Sequence, residues 1–219
     1  MPGRIEFKSG KLRLEGMVSP PKGEGPFPVA VVAHPHPLFG GSMDNNVVYA
    51  LRDALCGSGF LTLCFNFRGV GKSRGSYGEI DGEAQDLVAA CEFIRTDPEA
   101  NPDRVIVCGY SFGGLVVLSA IAKGLKPTAL ILVSPMLPES GINKDETLRR
   151  VIPLRVPTLI LSGGRDQFFR RQQYQPLLPS GGSDSKLMVI KSADHFWVGS
   201  EPEILHAVRG FPGLIAANP

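Results

Sequence analysis

Val105-Ile106-Val107-Cys108-Gly109-Tyr110-Ser111-Phe112-Gly113-Gly114, continued by Leu115-Val116-Val117-Leu118-Ser119-Ala120-Ile121-Ala122, is the stretch that decides how the chain is read. It begins as a short apolar strand, passes through Gly-x-Ser-x-Gly, and goes on as an apolar helix. On so sharp a turn the serine Oγ is pushed outward to where a base can reach it. The next residue turns its backbone N–H toward the same spot. Glycines suit the flanks because side chains there would collide with the neighbouring strand and helix, and because the turn needs unusual φ/ψ. Ser111 is the candidate nucleophile. In a chain with 26 glycines the pattern alone says little, and a second match, Gly71-Lys72-Ser73-Arg74-Gly75, makes the point. It runs into Ser76-Tyr77-Gly78, a loop, so Ser73 lacks the strand-turn-helix context the chemistry requires.

Upstream, residues 4–8 and 11–18 alternate apolar and polar positions around Ser9-Gly10, which predicts an antiparallel hairpin with one buried face. Residues 20–28 are a Pro/Gly turn region. Residues 29–33 are continuously apolar, as in a strand covered on both faces. A helix is expected over 46–56, a buried strand over 60–65 and a Gly-rich loop over 69–78. Residues 83–95 predict a helix with Leu87, Ala90, Cys91 and Ile94 on one face, and 96–102 a loop. Downstream, 128–133, 158–161 and 186–190 read as strands, and 145–151, 170–178 and 201–210 as helices. Ser200 and Glu203 have capping-box spacing, and Pro212 is placed to end or kink the last helix. Strands alternating with helices predict a mostly parallel sheet with helices on both faces. In such sheets, sites lie beyond the carboxyl ends of the strands.

With 219 residues, one domain (1–219) with an ordinary core is expected. A net charge of +2 without a basic cluster gives no indication of nucleic acid as a partner. Cys56, Cys64, Cys91 and Cys108 are far apart in apolar stretches and include no C-x-x-C. They read as buried, reduced thiols of a cytoplasmic protein, with no metal site. No apolar run approaches the length of a membrane span, and residues 1–11 lack the apolar centre of a signal peptide. A cytoplasmic protein with no membrane partner is the expectation, and a homodimer is compatible with it.

Three strand ends carry candidates. Ser111 follows its strand directly, Asp166 follows Leu159-Ile160-Leu161-Ser162-Gly163-Gly164-Arg165, and His195 lies in Ala193-Asp194-His195-Phe196-Trp197. The order Ser, Asp, His is the one tied to this elbow. A serine hydroxyl is a poor nucleophile until a neutral imidazole takes its proton, and a buried carboxylate fixes that imidazole's tautomer. Each role has rivals. His206 lies within a predicted helix, and His34 and His36 precede the serine; Glu139 is the main rival acid, followed by Asp184 and Asp194. An oxyanion needs two donors. Phe112 N–H is the first, and the second should come from His34-Pro35-His36-Pro37-Leu38-Phe39-Gly40-Gly41. Prolines have no N–H, which leaves His36, the preferred one, or Leu38. Two nucleotide readings fail: Gly71-Lys72-Ser73 has Asn66 where a phosphate loop needs glycine, and Gly69-Val70-Gly71 is followed by Arg74 where the dinucleotide fingerprint needs glycine.

Through His34–Gly41, Phe67-Arg68-Gly69-Val70-Gly71-Lys72-Ser73, the serine elbow, Gly163-Gly164-Arg165-Asp166 and Asp194-His195-Phe196, the chain resembles a small member of the α/β-hydrolase superfamily over nearly its full length. The resemblance implies a three-layer fold, an eight-stranded sheet, esterase-like chemistry and no cofactor. Dienelactone hydrolases are similar in size but use Cys where this chain has Ser111. Many family members carry His-Gly where this chain has His34-Pro35. The family's cap domain would be inserted between the 128–133 and 158–161 strands, where there is room for little beyond one short helix, so an open site is expected. Phe39, Met136, Leu137, Phe168 and Phe196 are the expected substrate-binding side chains, with Phe112, Phe169 and Trp197 as further apolar neighbours. The reading is a serine hydrolase acting on a small-molecule carboxylic ester through an acyl-enzyme. A serine peptidase or amidase acting on small peptides, and a non-catalytic binding protein on the same scaffold, are the alternatives.

Overall fold

The computed structural model describes residues 2–138, 145–152, 154–178 and 185–215. The predicted hairpin is present as β1 (Gly3–Ser9) and β2 (Leu12–Ser19), with Gly10 in the left-handed region at φ +56°. There follow β3 (Phe27–Ala33), α1 (Asn46–Gly57), β4 (Leu61–Phe65), α2 (Asp81–Ile94), β5 (Ala100–Tyr110) and α3 (Phe112–Ala122). The remaining elements are β6 (Ala129–Val133), α4 (Glu146–Arg149), β7 (Thr158–Gly163), α5 (Arg171–Tyr174), β8 (Lys186–Ile190), α6 (Glu201–Arg209) and α7 (Pro212–Ile215). The eight strands form one sheet in the order β1-β2-β4-β3-β5-β6-β7-β8. β2 pairs antiparallel with β1 and with β4, and all other pairs are parallel.

The apolar runs are uninterrupted because the central strands are covered on both sides. Val29, Val31 and Ala33 of β3, with Val105 and Val107 of β5, pack against Leu87, Ala90, Cys91 and Ile94 of α2 and against α3. Ala30, Val32, Ile106 and Cys108 point the other way, toward α1 and α6. Two cores on one sheet make three layers. Among the described residues no helix is long and apolar enough to cross a membrane. All four cysteines are free thiols; Cys64, Cys91 and Cys108 are buried, while Cys56 is only partly so.

The expected elements need four corrections. Residues 100–102 are not loop, because Ala100 and Asn101 pair with Phe27 and Pro28 before a register break lets the strand bulge. Residues 170–178 form one α-turn followed by a 3-10 turn, Gln175–Leu177, rather than a continuous helix. The capping box at Ser200 is absent. Pro202 has no N–H to offer, Glu203 N–H bonds the Ser200 carbonyl, and the caps of this helix use no side-chain bond. Finally, α6 stops at Arg209, and Pro212 opens α7, where its fixed φ and missing N–H cost nothing.

The Gly-rich loop is pinned from both sides. Asp86 of α2, fully buried, accepts from Arg68 N (2.9 Å), Nε (3.0 Å) and Nη2 (2.7 Å). Glu83, also buried, accepts from Gly78 N and Ile80 N. On the other side, Ser73 Oγ donates to the Asn66 carbonyl and accepts from Glu15 N. Ser73 is therefore a buried strut. Removing one partner of a buried ion pair strands the other charge, so Asp86→Ala should cost about 3–5 kcal/mol. Urea denaturation would show this, with Arg13→Ala, which breaks an exposed pair to Glu6, leaving the midpoint close to wild type.

Candidate active site

β5 ends at Tyr110 and α3 starts at Phe112, leaving Ser111 alone on the turn at φ +52°, ψ −115°. Such a backbone is strained for a residue with a side chain and persists only when its surroundings over-determine it. Here they do. A Cβ on Gly109 would strike the Gly113 carbonyl, one on Gly113 the Ala33 and His34 carbonyls, and one on Gly114 the Pro135 ring. Ser111 N–H donates to the Val133 carbonyl (3.0 Å), and its own carbonyl accepts from Gly114 N and Met136 N. The turn is clamped between the ends of β3 and β6.

The structure brings the three sequence-predicted side chains together. Ser111 Oγ lies 3.0 Å from His195 Nε2, and His195 Nδ1 lies 2.8 Å from Asp166 Oδ2. A proton on Nδ1 facing the carboxylate leaves Nε2 as acceptor for the serine hydroxyl. The Asp166 side chain is 1% exposed and that of His195 13%. Burial alone would raise the Asp166 pKa. Hydrogen bonds from His195 and Phe168 N–H, the positive charge His195 can carry, and the Ser134 hydroxyl together overcome it, holding the carboxyl below its ordinary value. His195 sits on a braced loop: Tyr110 Oη donates to the His195 carbonyl (2.9 Å), and Asn46 Nδ2 donates to the Phe196 carbonyl (3.1 Å). Gly163 admits this loop, since a Cβ there would meet the Ala193 and Asp194 carbonyls.

The rivals are placed elsewhere or engaged otherwise. Asp194 Oδ1 accepts from Phe196 N and Trp197 N, so that side chain organises the turn after His195. His206 is exposed on α6. His34 is fully buried, its Nδ1 2.6 Å from the Pro35 carbonyl and its Nε2 accepting from Phe67 N at 3.1 Å. Glu139 and Asp184 lie outside the described residues.

The 34–41 loop folds back on itself, with Phe39 N and Gly41 N both donating to the His36 carbonyl. Leu38 N–H bonds His36 Nδ1 at 3.2 Å, so the second of the two donors considered is engaged within its own loop. The His36 and Phe112 N–H groups have no partner among the described residues. The His36 ring packs on Phe112 (centroids 4.5 Å apart) and Tyr77 (5.2 Å), which brings this loop to the elbow.

Of the apolar side chains expected to line the site, Phe39, Met136, Phe168 and Phe196 are exposed, together with Leu38 and Val198, and Leu137 is half-buried. No other large apolar side chains among the described residues are as exposed, and all six come from the three loops around Ser111 and the segment after β6. Phe168 and Phe196 stand edge-on to the His195 ring at 4.9 and 5.7 Å. Phe112 and Trp197 are wholly buried and offer no surface, and Phe169 stacks on Tyr174 (5.4 Å). Sequence reading missed Tyr77, Asn46, and the hydroxyls of Tyr110 and Ser134. Their roles arise from contacts across the fold, and no local pattern marks them.

Residues 38–148, half the chain, match the hydrolase family described as serine aminopeptidase, S33. An uncharacterized protein of Rickettsia prowazekii is 30% identical over 98% of this chain and 90% of its own length. A Coxiella burnetii protein described as an alpha-beta serine hydrolase homologue superposes with a TM-score of 0.80 at 30% identity, covering 94% of this chain and 95% of that one. A Xanthomonas campestris protein described as an a/b serine hydrolase without lid gives 0.77 at 27% identity, covering 98% and 94%. The chain belongs to the α/β-hydrolase family, in its small, cap-less form, and is a hydrolase.

Burial lowers the His34 pKa to about 4, against its bond to the Pro35 carbonyl and with a further push down from His36. Its folded pKa therefore lies below the unfolded value near 6.5. Above that value both states are neutral; between about 6.5 and 4 only the unfolded chain takes the proton, so stability falls as pH falls. Guanidinium titrations at pH 7 and 4.5 should show wild type losing about 2–3 kcal/mol more than His34→Gln. An equal loss in both proteins would mean that His34 does not carry the effect.

Proposed function

We propose that the protein hydrolyses small carboxylic esters with apolar acyl groups through an acyl-enzyme on Ser111. The observation that carries this reading is the continuous chain Ser111 Oγ, His195 Nε2, His195 Nδ1, Asp166 Oδ2 at 3.0 and 2.8 Å, closed at the acid end and open at the serine. His195 takes the serine proton as Oγ attacks the ester carbonyl, and Asp166 stabilises the imidazolium so formed. The oxyanion is received by the Phe112 and His36 N–H groups, each worth about 3–4 kcal/mol in the transition state. As the tetrahedral species collapses, His195 returns the proton to the departing alcohol. Water, activated by the same imidazole, then releases the acid and regenerates Ser111.

The family's description favours a second reading, cleavage of an amide next to a free amino terminus. Such a substrate brings an ammonium group that needs an anionic anchor. The large apolar side chains exposed among the described residues surround Ser111, and the two carboxylates flanking His195 there are already used, Asp166 by His195 and Asp194 by the backbone. The ester reading follows from that chemistry.

With p-nitrophenyl butyrate, Ser111→Ala should lower kcat by about 10⁴-fold or more, and wild type should show a burst of one p-nitrophenol per chain. Ser73→Ala should act on stability rather than on turnover. Full activity in Ser111→Ala would contradict the assignment, and faster turnover of aminoacyl p-nitroanilides than of esters would favour the peptidase reading.

A further inference from the structure

Two buried side chains behind the acid have no part in the mechanism above. Trp197 is wholly buried and Ser134 is 1% exposed, and the indole Nε1 donates to Ser134 Oγ at 3.1 Å. An indole N–H can only donate, so Ser134 Oγ is the acceptor in that bond and its own proton must find another partner. A buried hydroxyl proton left unmatched is costly. Ser134 lies just past the end of β6, fixed there by its N–H to the Leu161 carbonyl (2.7 Å) in the neighbouring strand that leads to Asp166. The carboxylate takes one bond on Oδ1, from Phe168 N, and one on Oδ2, from His195, which leaves acceptor sites free.

The backbone speaks for the same arrangement. Five described non-glycine residues have positive φ, and three of them are Ser111 (+52°), Ser134 (+39°) and Trp197 (+60°). Strain of this kind is kept where surrounding contacts enforce it, often at functional sites. The Trp197 turn is enforced by the Asp194 carboxylate.

Resting on the proposed function, we infer that Ser134 and Trp197 are positioning residues for the acid: the indole holds the Ser134 hydroxyl, and the hydroxyl donates to Asp166. Because Trp197 lies two residues beyond His195, the loop that carries the base also braces the acid. Base, acid, serine and indole form a closed ring that fixes the distance across which the proton is shared. The hydroxyl favours the charged form of Asp166. Among the groups packed near this ring, burial first and the Asp166 charge second push the Tyr110 and Tyr174 phenols up, and the Asp194 carboxylate accepts from the Phe196 and Trp197 N–H groups.

The test uses the rate at which a fluorophosphonate modifies wild-type protein, which needs the activated serine but no knowledge of the substrate. Ser134→Ala and Ser134→Gly should each slow modification about tenfold and move the acid limb of its pH profile upward. KM for p-nitrophenyl butyrate should stay within about twofold while kcat falls. Both variants strand the indole N–H, but glycine is at ease at positive φ, so Ser134→Gly should melt above Ser134→Ala while reacting as slowly, which separates the hydroxyl from the strain. Trp197→Phe should slow modification in wild type but add little in the Ser134→Ala background, because both act through one chain of bonds. Ser134 variants that react at the wild-type rate with an unmoved profile, or fully additive losses in the double variant, would overturn the inference and leave the role of Ser111 standing. A wild-type protein that the probe does not modify would instead overturn the proposed function, and this inference with it.

Discussion

The site depends on how closely backbone can approach backbone at the end of β5. Gly109, Gly113 and Gly114 let α3 start against the carbonyls that finish β3 and against Pro135 just past β6. Nothing bulkier than hydrogen fits at these three points. That closeness forces Ser111 into a backbone conformation it would not otherwise hold, and the same closeness prevents its relaxation. Strain and exposure of the hydroxyl have one cause here: the turn that is costly to make is the turn that presents Oγ.

Around that turn runs a gradient from buried to accessible. The Asp166 carboxylate is sealed beneath the surface, the His195 ring is mostly covered, and Ser111 is half-buried beside exposed aromatic rings. A carboxylate can remain charged when buried only if donors replace its water, and here they come from His195, from Phe168 N–H and from Ser134. Open access at the other end follows from the cap-less form of the family. Phe39, Phe168 and Phe196 stay uncovered.

Much of this was legible in the sequence. Continuous apolar runs marked strands covered on both faces, and strand ends pointed to Ser111, Asp166 and His195, because in such sheets the carboxyl ends face one rim. Context separated the Ser111 motif from that of Ser73, which is a strut between Glu15 and Asn66. Other features could not be read. Ser200 and Glu203 had the spacing of a cap, but Pro202 between them left a different set of N–H groups to satisfy. Trp197 read as an apolar neighbour of the site because an aromatic two residues past His195 is ambiguous in one dimension; its burial depends on α6 and the sheet. That the Leu38 N–H is engaged by the His36 ring is a bond within the loop that no spacing rule encodes.

The central claim is that one hydroxyl among many is reactive because of where the sheet holds it. The direct measurement is peptide mapping by mass spectrometry after reaction of the intact protein with a fluorophosphonate. The account predicts a single adduct, on the peptide containing Ser111, and none on the peptide containing Ser73. An adduct on Ser73, or adducts spread over several serines at comparable rates, would contradict it.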